Sequence, residues 1–112
     1  MTTDGEGIGA DEVADLGPDM SGRWEVTTRT SRHIWDLDRG TYGRHPLHPA
    51  SSAMPYDGVD LPITAVQAWP RVGHHSFVLF DDPAEPAVEH WRRSGTILRI
   101  VRLTTEGGWS VG

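Results

Sequence analysis

The sequence predicts an all-β fold, a small antiparallel barrel or sandwich of about six to seven strands. Several short segments alternate apolar and polar residues with a period of two, which is typical of half-buried strands. No stretch of ten or more residues in the body of the chain shows a helical period, and no internal repeat is present. A closed or nearly closed sheet would protect the strand edges from pairing with other chains. The alternative is an α+β fold with one short helix near 83–94.

Length and charge distribution predict one domain that follows an acidic tail. The chain has 112 residues, of which 37% are hydrophobic and five are Trp, enough for one core without a metal or disulfide. Residues 1–20 contain acidic side chains and no basic one, and they hold all of the net charge of -6. We therefore expect a flexible tail over 1–21, dispensable for folding, and a single β domain over 22–112. The spacing of Val13, Leu16 and Met20 leaves open a short partner-binding helix in the tail.

Composition excludes several classes of function. The absence of Cys rules out disulfides, thiolate zinc sites and cysteine nucleophiles, and it favours a cytoplasmic protein. Residues 21–112 carry no net charge, so no positive field predicts binding to nucleic acid. No apolar run approaches the ~20 residues of a membrane span, and the acidic N-terminus is unlike a signal peptide. All ten basic residues are Arg, which indicates a high-GC genome rather than a phosphate-binding surface.

The first three strands are predicted to form an antiparallel meander. Apolar side chains alternate with polar ones in 23–29 and again in 33–37, and a turn between these segments makes a hairpin. The residues expected to share one face of the second strand are His33, Trp35 and Leu37. A further turn at 38–40, with Gly40 in the left-handed conformation, returns the chain along 41–44.

A long loop separates this meander from the next strands. Four prolines in 45–62 predict a loop of about 18 residues, because proline cannot donate to a strand ladder and such loops are often functional. The segment 63–69, which Pro70 ends, predicts a fourth strand. The continuous apolar run 76–80 is typical of a central strand, and 81–86 predicts a turn.

The last predicted element is a hairpin. Strand 88–93 would pair with 96–103 across Ser94 and Gly95, which sets Trp91 opposite Leu98. In such a turn Gly95 would need a positive φ. The competing helix near 83–94 would instead bury a stripe formed by Ala84, Ala87, Val88 and Trp91.

Part of the sequence resembles a group of uncharacterised proteins. The first hairpin has the pattern Trp24-x-Val26-x-Thr28-x-Thr30-Ser31-x-His33-x-Trp35-Asp36-Leu37-Asp38. This run resembles the opening hairpin of short, uncharacterised β-rich proteins of high-GC actinobacteria and their phages. The segments 89–92 and 97–100 are similar to the closing strands of those proteins. The resemblance implies no activity, because the family has none assigned.

Histidines are the candidate metal ligands. His45 and His48 lie in the Pro-rich loop, and His74 and His75 precede the strand predicted over 76–80. A zinc site built from imidazoles needs three or four of them to converge, and two His around a Pro do not have the helical HExxH geometry. We therefore expect exposed loop histidines, no metal and no cofactor. No nucleotide-binding or nucleophile-elbow motif is present, so we expect no catalytic residue.

The surplus of tryptophan favours a binding function. Most of the five Trp are expected to share one aromatic core, with Trp69 partly exposed at a strand end. The sequence thus predicts a non-enzymatic module that binds or assembles with another macromolecule, a protein partner, through the acidic tail and the loop 45–62. The candidate binding residues are Trp69, Tyr56, His45 and His48. The alternative is a small metal-dependent enzyme or ligand-binding protein that uses the loop histidines.

Overall fold

The computed structural model describes residues 11–47 and 54–103, which form eight antiparallel strands in one sheet. The strands are β1 (Glu12–Val13), β2 (Arg23–Thr27), β3 (Ser31–Asp36), β4 (Thr41–Pro46), β5 (Leu61–Ala68), β6 (Phe77–Asp81), β7 (Glu89–Arg93) and β8 (Arg99–Leu103). Their order in the sheet is β1-β8-β2-β3-β4-β5-β6-β7. The predicted all-β class is confirmed, and the described part of the chain contains no helix.

The predicted meander β2-β3-β4 is confirmed. Trp24 pairs with Trp35 across β2 and β3, and Trp35 pairs with Tyr42 across β3 and β4. All three side chains are buried, because the period of two places alternate residues on the core face. Gly40 has a φ of 71°, which is the left-handed conformation that the turn between β3 and β4 requires.

The sheet is not closed into a barrel. Within the described residues its two edges are β1 and β7, and each has one strand neighbour. Two pairs of residues join β4 to β5, whereas the other strands of five or more residues pair over most of their length. One core nevertheless serves the whole sheet, because Tyr42 on β4 packs against Phe80 on β6, with ring centroids 6.0 Å apart.

Residues 11–21 are packed on the sheet, which corrects the prediction of a mobile tail over 1–21 for this stretch. Val13 in β1 pairs with Ile100 of β8, and the side chain of Leu16 is only 4% exposed. Leu16 also donates its N–H to the Pro70 carbonyl oxygen at 2.9 Å. The apolar residues of this segment are spaced to contact the sheet, so they join the core rather than form a helix face. Residues 1–10 lie outside the described part of the chain.

The predicted hairpin of 88–93 with 96–103 is wrong, and so is the alternative helix near 83–94. Turns precede β7, which pairs with β6, whereas β8 pairs with β2 and β1. The connecting segment crosses from one half of the sheet to the other, where Ile97 is buried and donates its N–H to the His74 carbonyl oxygen at 2.9 Å. Gly95 does not have a positive φ, since no tight turn forms there.

The predicted loop 45–62 is shorter than expected at both ends. β4 continues to Pro46, which is compatible with proline at the end of a strand, and β5 begins at Leu61. Residues 54–60 form turns that lie against β4, and Gly58 donates its N–H to the Arg44 carbonyl oxygen at 2.7 Å. Residues 48–53 lie outside the described part.

The tryptophans divide between core and surface. Trp24 and Trp35 are buried as expected, and Trp69 is half-buried against Trp35 with ring centroids 5.8 Å apart. Trp91 was expected in the core but its residue surface is 61% exposed, because β7 turns the opposite face inward. Trp109 lies outside the described residues. In the part described here, no helix has the length and apolar character needed to cross a membrane.

Candidate functional site

A groove of about 340 Å³ follows the edge strand β7. All five residues of β7 line it, together with Phe80 from the neighbouring strand β6. The opposite wall is formed by the turn residues Met54, Pro55 and Tyr56, which come from the loop that the sequence predicts as a contact region. The groove therefore combines an open strand edge with an irregular wall.

Backbone groups of β7 face this groove. Ser94 donates its N–H to the Ser76 carbonyl oxygen at 2.9 Å, so the backbone of residue 94 points toward the β6 side. Backbone groups alternate along an antiparallel strand, which directs those of Arg92 toward β6 as well. Those of Trp91 and Arg93 consequently point to the open side, where β7 has no strand neighbour among the described residues.

Trp91 forms the most exposed aromatic surface among the described residues at this edge. Its ring stacks on Phe77 of β6, with centroids 5.3 Å apart and planes inclined by 15°. This stacking holds the indole flat on the outer face of the sheet, with one ring face open. A large flat side chain held in place by a neighbour loses little conformational entropy on binding, which is why tryptophan is frequent at binding hot spots.

The inner face of β7 carries a charged side chain. Arg92 is buried, with its side chain 8% exposed, and it lines the groove. It donates to the Pro55 carbonyl oxygen at 2.9 Å, which ties β7 to the opposite wall of the groove. The same side chain lies 3.8 Å from Asp57 Oδ1, so β7 and the turn 54–57 are also joined by charge.

Asp57 is the anion at the centre of this cluster. Arg44 donates to both of its carboxylate oxygens at 2.8 Å, and Met54 donates its backbone N–H at 2.8 Å. Burial alone would raise the pKa of Asp57, but the bonds from Arg44 and Met54 and the charges of Arg44 and Arg92 hold it below its usual range. The carboxylate is therefore ionised at neutral pH and fixes the turn on the sheet.

Beneath the two arginines lies a buried histidine. His33 Nδ1 is 2.6 Å from the Tyr42 hydroxyl oxygen and its Nε2 is 2.9 Å from the Ser31 hydroxyl oxygen. Burial first, and then the positive charges of Arg44 and Arg92, lower the pKa of His33 to about 3. Burial also raises the pKa of the Tyr42 phenol well above its usual range. Both groups are neutral at pH 7 and serve as hydrogen-bonding partners within the core.

Tyr56 joins the groove to an acidic cluster. Its φ of 68° is unusual for a bulky side chain and marks a constrained turn. The hydroxyl donates to Glu85 Oε1 at 3.3 Å and lies 3.4 Å from His90 Nε2. Desolvation, followed by contacts with the Asp82 and Glu85 carboxylates, raises the pKa of Tyr56 to about 12, so the phenol is a neutral donor at pH 7.

One group of side chains among the described residues has donor atoms close enough to hold a metal ion. The ligand atoms of Asp82, Glu85 and His90 lie within 4.8 Å of one another. Two carboxylates and one imidazole form a donor set that suits zinc or another first-row divalent ion. Asp82 already accepts the N–H of Ala84 at 2.9 Å and Glu85 Oε1 lies 3.6 Å from His90 Nε2, so the cluster also has internal partners.

The three predicted binding residues that the structure describes do not meet at one place. Tyr56 lines the groove, whereas Trp69 packs on Trp35 and His45 lies half-buried on β4. His48 lies outside the described residues. Neither Trp69 nor His45 lines the groove, and the binding roles of Trp69, His45 and His48 remain predictions.

Two groove residues were missed by the sequence reading. Trp91 was expected in the core, and the hairpin that would contain Trp91 and Arg92 does not form. The signal that could have found them is the pair of adjacent arginines at 92 and 93, since charged side chains are frequent on edge strands.

Comparison with known protein families, curated proteins and solved structures finds no match to this chain. The resemblance to actinobacterial and phage proteins therefore stays a prediction, and the groove must be interpreted from its own geometry.

Proposed function

We propose that this protein is a non-enzymatic binding module that holds an extended segment of a protein partner along the edge of β7. The segment would add a ninth strand to the sheet and pair with the outward backbone groups of Trp91 and Arg93. The observation that supports this proposal is the groove, because all five residues of β7 form one of its walls. Addition of a strand to an exposed sheet edge is a common mode of peptide recognition, in which main-chain bonds give affinity and side-chain pockets give specificity.

The side chains of the groove favour a protein segment over other partners. Exposed Trp91 offers apolar area, and the outward face of β7 also carries Glu89 and Arg93, which have opposite charges. A nucleic acid would require a consistently positive surface, whereas this strand is mixed and the chain has a net charge of -6. A phage-encoded role, such as an assembly component or an inhibitor of a host protein, is compatible with this binding, and the absence of Cys favours the cytoplasm.

The alternative function based on loop histidines receives no comparable support. Among the described residues, His45, His74 and His75 do not belong to any group with the spacing of metal ligands. His74 and His75 are exposed, and His75 Nδ1 is 2.9 Å from the Ser94 carbonyl oxygen. The binding proposal is therefore the one that the groove favours.

A substitution that removes one backbone N–H of β7 tests the proposal. Twelve-residue peptides would be selected on the unmodified chain from a displayed random library, and their affinity measured by calorimetry. Arg93→Pro removes an N–H that points to the open side and keeps the bonds to β6, because proline is tolerated on the outer side of edge strands. Arg93→Ala removes the same side chain but keeps the N–H, so it is the matched control.

We expect Arg93→Pro to weaken binding at least tenfold and Arg93→Ala to weaken it much less. Both variants should keep a cooperative thermal transition. Equal binding by Arg93→Pro and the unmodified chain would contradict strand addition. Failure of the library to yield any peptide whose binding depends on Trp91 would contradict the proposed groove.

A further inference from the structure

The cluster of Arg44, Asp57 and Arg92 beside the groove has two positive charges and one negative charge. Arg44 and Arg92 share one carboxylate, that of Asp57. Arg44 donates to both oxygens at 2.8 Å, whereas Arg92 Nη1 lies 3.8 Å from Oδ1. A buried cation without a closely bonded anion is costly, because burial removes water that would otherwise solvate it.

The guanidinium of Arg92 has donors to spare. Its one hydrogen bond to a carbonyl oxygen of a described residue is to Pro55, at 2.9 Å. The Tyr42 hydroxyl also lies beside it. An arginine side chain has five N–H donors arranged as a fork that matches the two oxygens of a carboxylate. Arg92 is more than nine-tenths buried and still lines the groove, so a group that enters the groove can contact it.

Strand geometry determines which part of a partner would meet Arg92. Side chains of neighbouring strands that lie opposite each other project from the same face of the sheet. His90 and Arg92 project from the inner face of β7, and Glu89, Trp91 and Arg93 project from the outer face. A strand added at this edge would therefore place every second side chain on the inner face, next to Arg92.

We propose that Arg92 binds the carboxylate of an Asp or Glu side chain in the segment that occupies the groove. The inference rests on the proposed function for the source of the carboxylate, and for its chemistry on Arg92, whose contact with Asp57 is 3.8 Å long and is shared with Arg44. The side chain of this acidic residue projects from the inner face of the added strand, as every second side chain of that strand does. Its carboxylate adds a second negative charge to the two arginines that share Asp57.

The first test uses the carboxylate alone. Sodium acetate is titrated into the ¹⁵N-labelled chain while the side-chain Nε–H signals of Arg92 and Arg93 are followed by NMR, with sodium chloride at equal ionic strength as the control. We expect a saturable shift at Arg92 and no comparable shift at exposed Arg93. Equal shifts in acetate and chloride, or equal shifts at both arginines, would overturn the anion site.

The second test uses the library-selected peptide of highest affinity. Each Glu or Asp of the peptide is replaced in turn by Gln or Asn, and each version is measured against the unmodified chain and against Arg92→Gln. One replacement should lower affinity at least tenfold with the unmodified chain and less than threefold with Arg92→Gln. If Arg92→Gln does not fold, the affinities of the peptide series for the unmodified chain still test the proposal. Only the replacement of an acidic residue whose side chain projects from the inner face should lower the affinity.

The outcomes separate this inference from the proposed function. Peptides that bind through the β7 edge but contain no sensitive acidic residue would overturn the role of Arg92 and leave strand addition standing. A specific acetate shift at Arg92 without any peptide that depends on the Arg93 N–H would support the anion site and contradict strand addition.

Discussion

At the scale of single residues, the core of this protein is built around charged and polar side chains as much as apolar ones. His33, Arg44 and Arg92 are all buried, and each has a named partner in Tyr42, Asp57 or the Pro55 carbonyl. Buried polar groups that are hydrogen-bonded specify one arrangement, since any other arrangement would leave them without partners.

Acid should destabilise the protein through His33. The unfolded chain binds a proton at this residue below the ordinary pKa of 6.5, whereas the folded chain does so only below about 3. The free energy of unfolding should therefore fall as the pH drops from 6.5 toward 3, by up to about 1.4 kcal/mol per pH unit. Urea denaturation of the unmodified chain and of His33→Gln between pH 4 and 7 measures the slope.

The variant should show a flatter dependence over this range. Exposed His74→Gln is the control and should keep the slope of the unmodified chain. Asp57, whose pKa is depressed in the folded protein, adds stability that is lost at still lower pH, as the pH falls through its folded pKa. A His33→Gln profile parallel to that of the unmodified chain would contradict the assignment.

At the scale of elements, the sequence predicted local strands well and long-range pairing poorly. The meander from β2 to β4 was predictable, because its turns are short and apolar residues alternate with polar ones along its strands. The position of β7 was not predictable, because the partners of His90 and Arg92 on its inner face are Tyr56, Pro55 and Asp57, which are distant in sequence. Tertiary contacts determine whether an arginine is buried, and the local pattern of apolar and polar residues does not contain them.

The segment before β2 contributes to stability. Leu16→Ala should lower the free energy of unfolding by about 2 to 4 kcal/mol, since it deletes a buried side chain from the core. A chain that begins at Ser21 should unfold at a clearly lower temperature for the same reason. Leu98→Ala, at a position that is 53% exposed, is the matched control and should change stability by less than 1 kcal/mol. Equal stability of the Leu16 and Leu98 variants would show that the segment does not pack.

The turn at 57–60 depends on a close approach to β4. A Cβ at Gly43 would lie 3.0 Å from the Val59 carbonyl oxygen and would also meet the Asp60 carboxylate. Gly43→Ala should therefore displace this turn and with it the wall of the groove, at a cost of about 1 to 3 kcal/mol. Amide NMR shifts should concentrate at residues 54–60 and 92. Gly17→Ala, where a Cβ meets no neighbour within 4 Å, is the control.

At the scale of the whole molecule, one apolar core stabilises an open sheet. Core side chains come from the N-terminal segment, from both halves of the sheet and from the crossing segment near Ile97. Their packing explains why composition alone predicted a folded domain. Composition does not reveal where the sheet stays open, because the order of the strands determines which of them lie at the edges.

This core should need no metal. Elemental analysis of protein purified without a His-tag should show well below one zinc per chain, and EDTA should leave the melting temperature unchanged. None of the core side chains belongs to the cluster of Asp82, Glu85 and His90, whose Glu85 is exposed, so the core packs without an ion there. A stoichiometric metal whose removal lowers the melting temperature would contradict this expectation.

The most direct test of strand addition is amide hydrogen exchange at β7 with and without a library-selected peptide. In the free protein, the amides of Trp91 and Arg93 should exchange rapidly because they point to the open side, while that of Arg92 should be protected by its bond to β6. Bound peptide should slow exchange at Trp91 and Arg93 at least tenfold. Peptide binding that leaves both amides at their free rates would contradict the account.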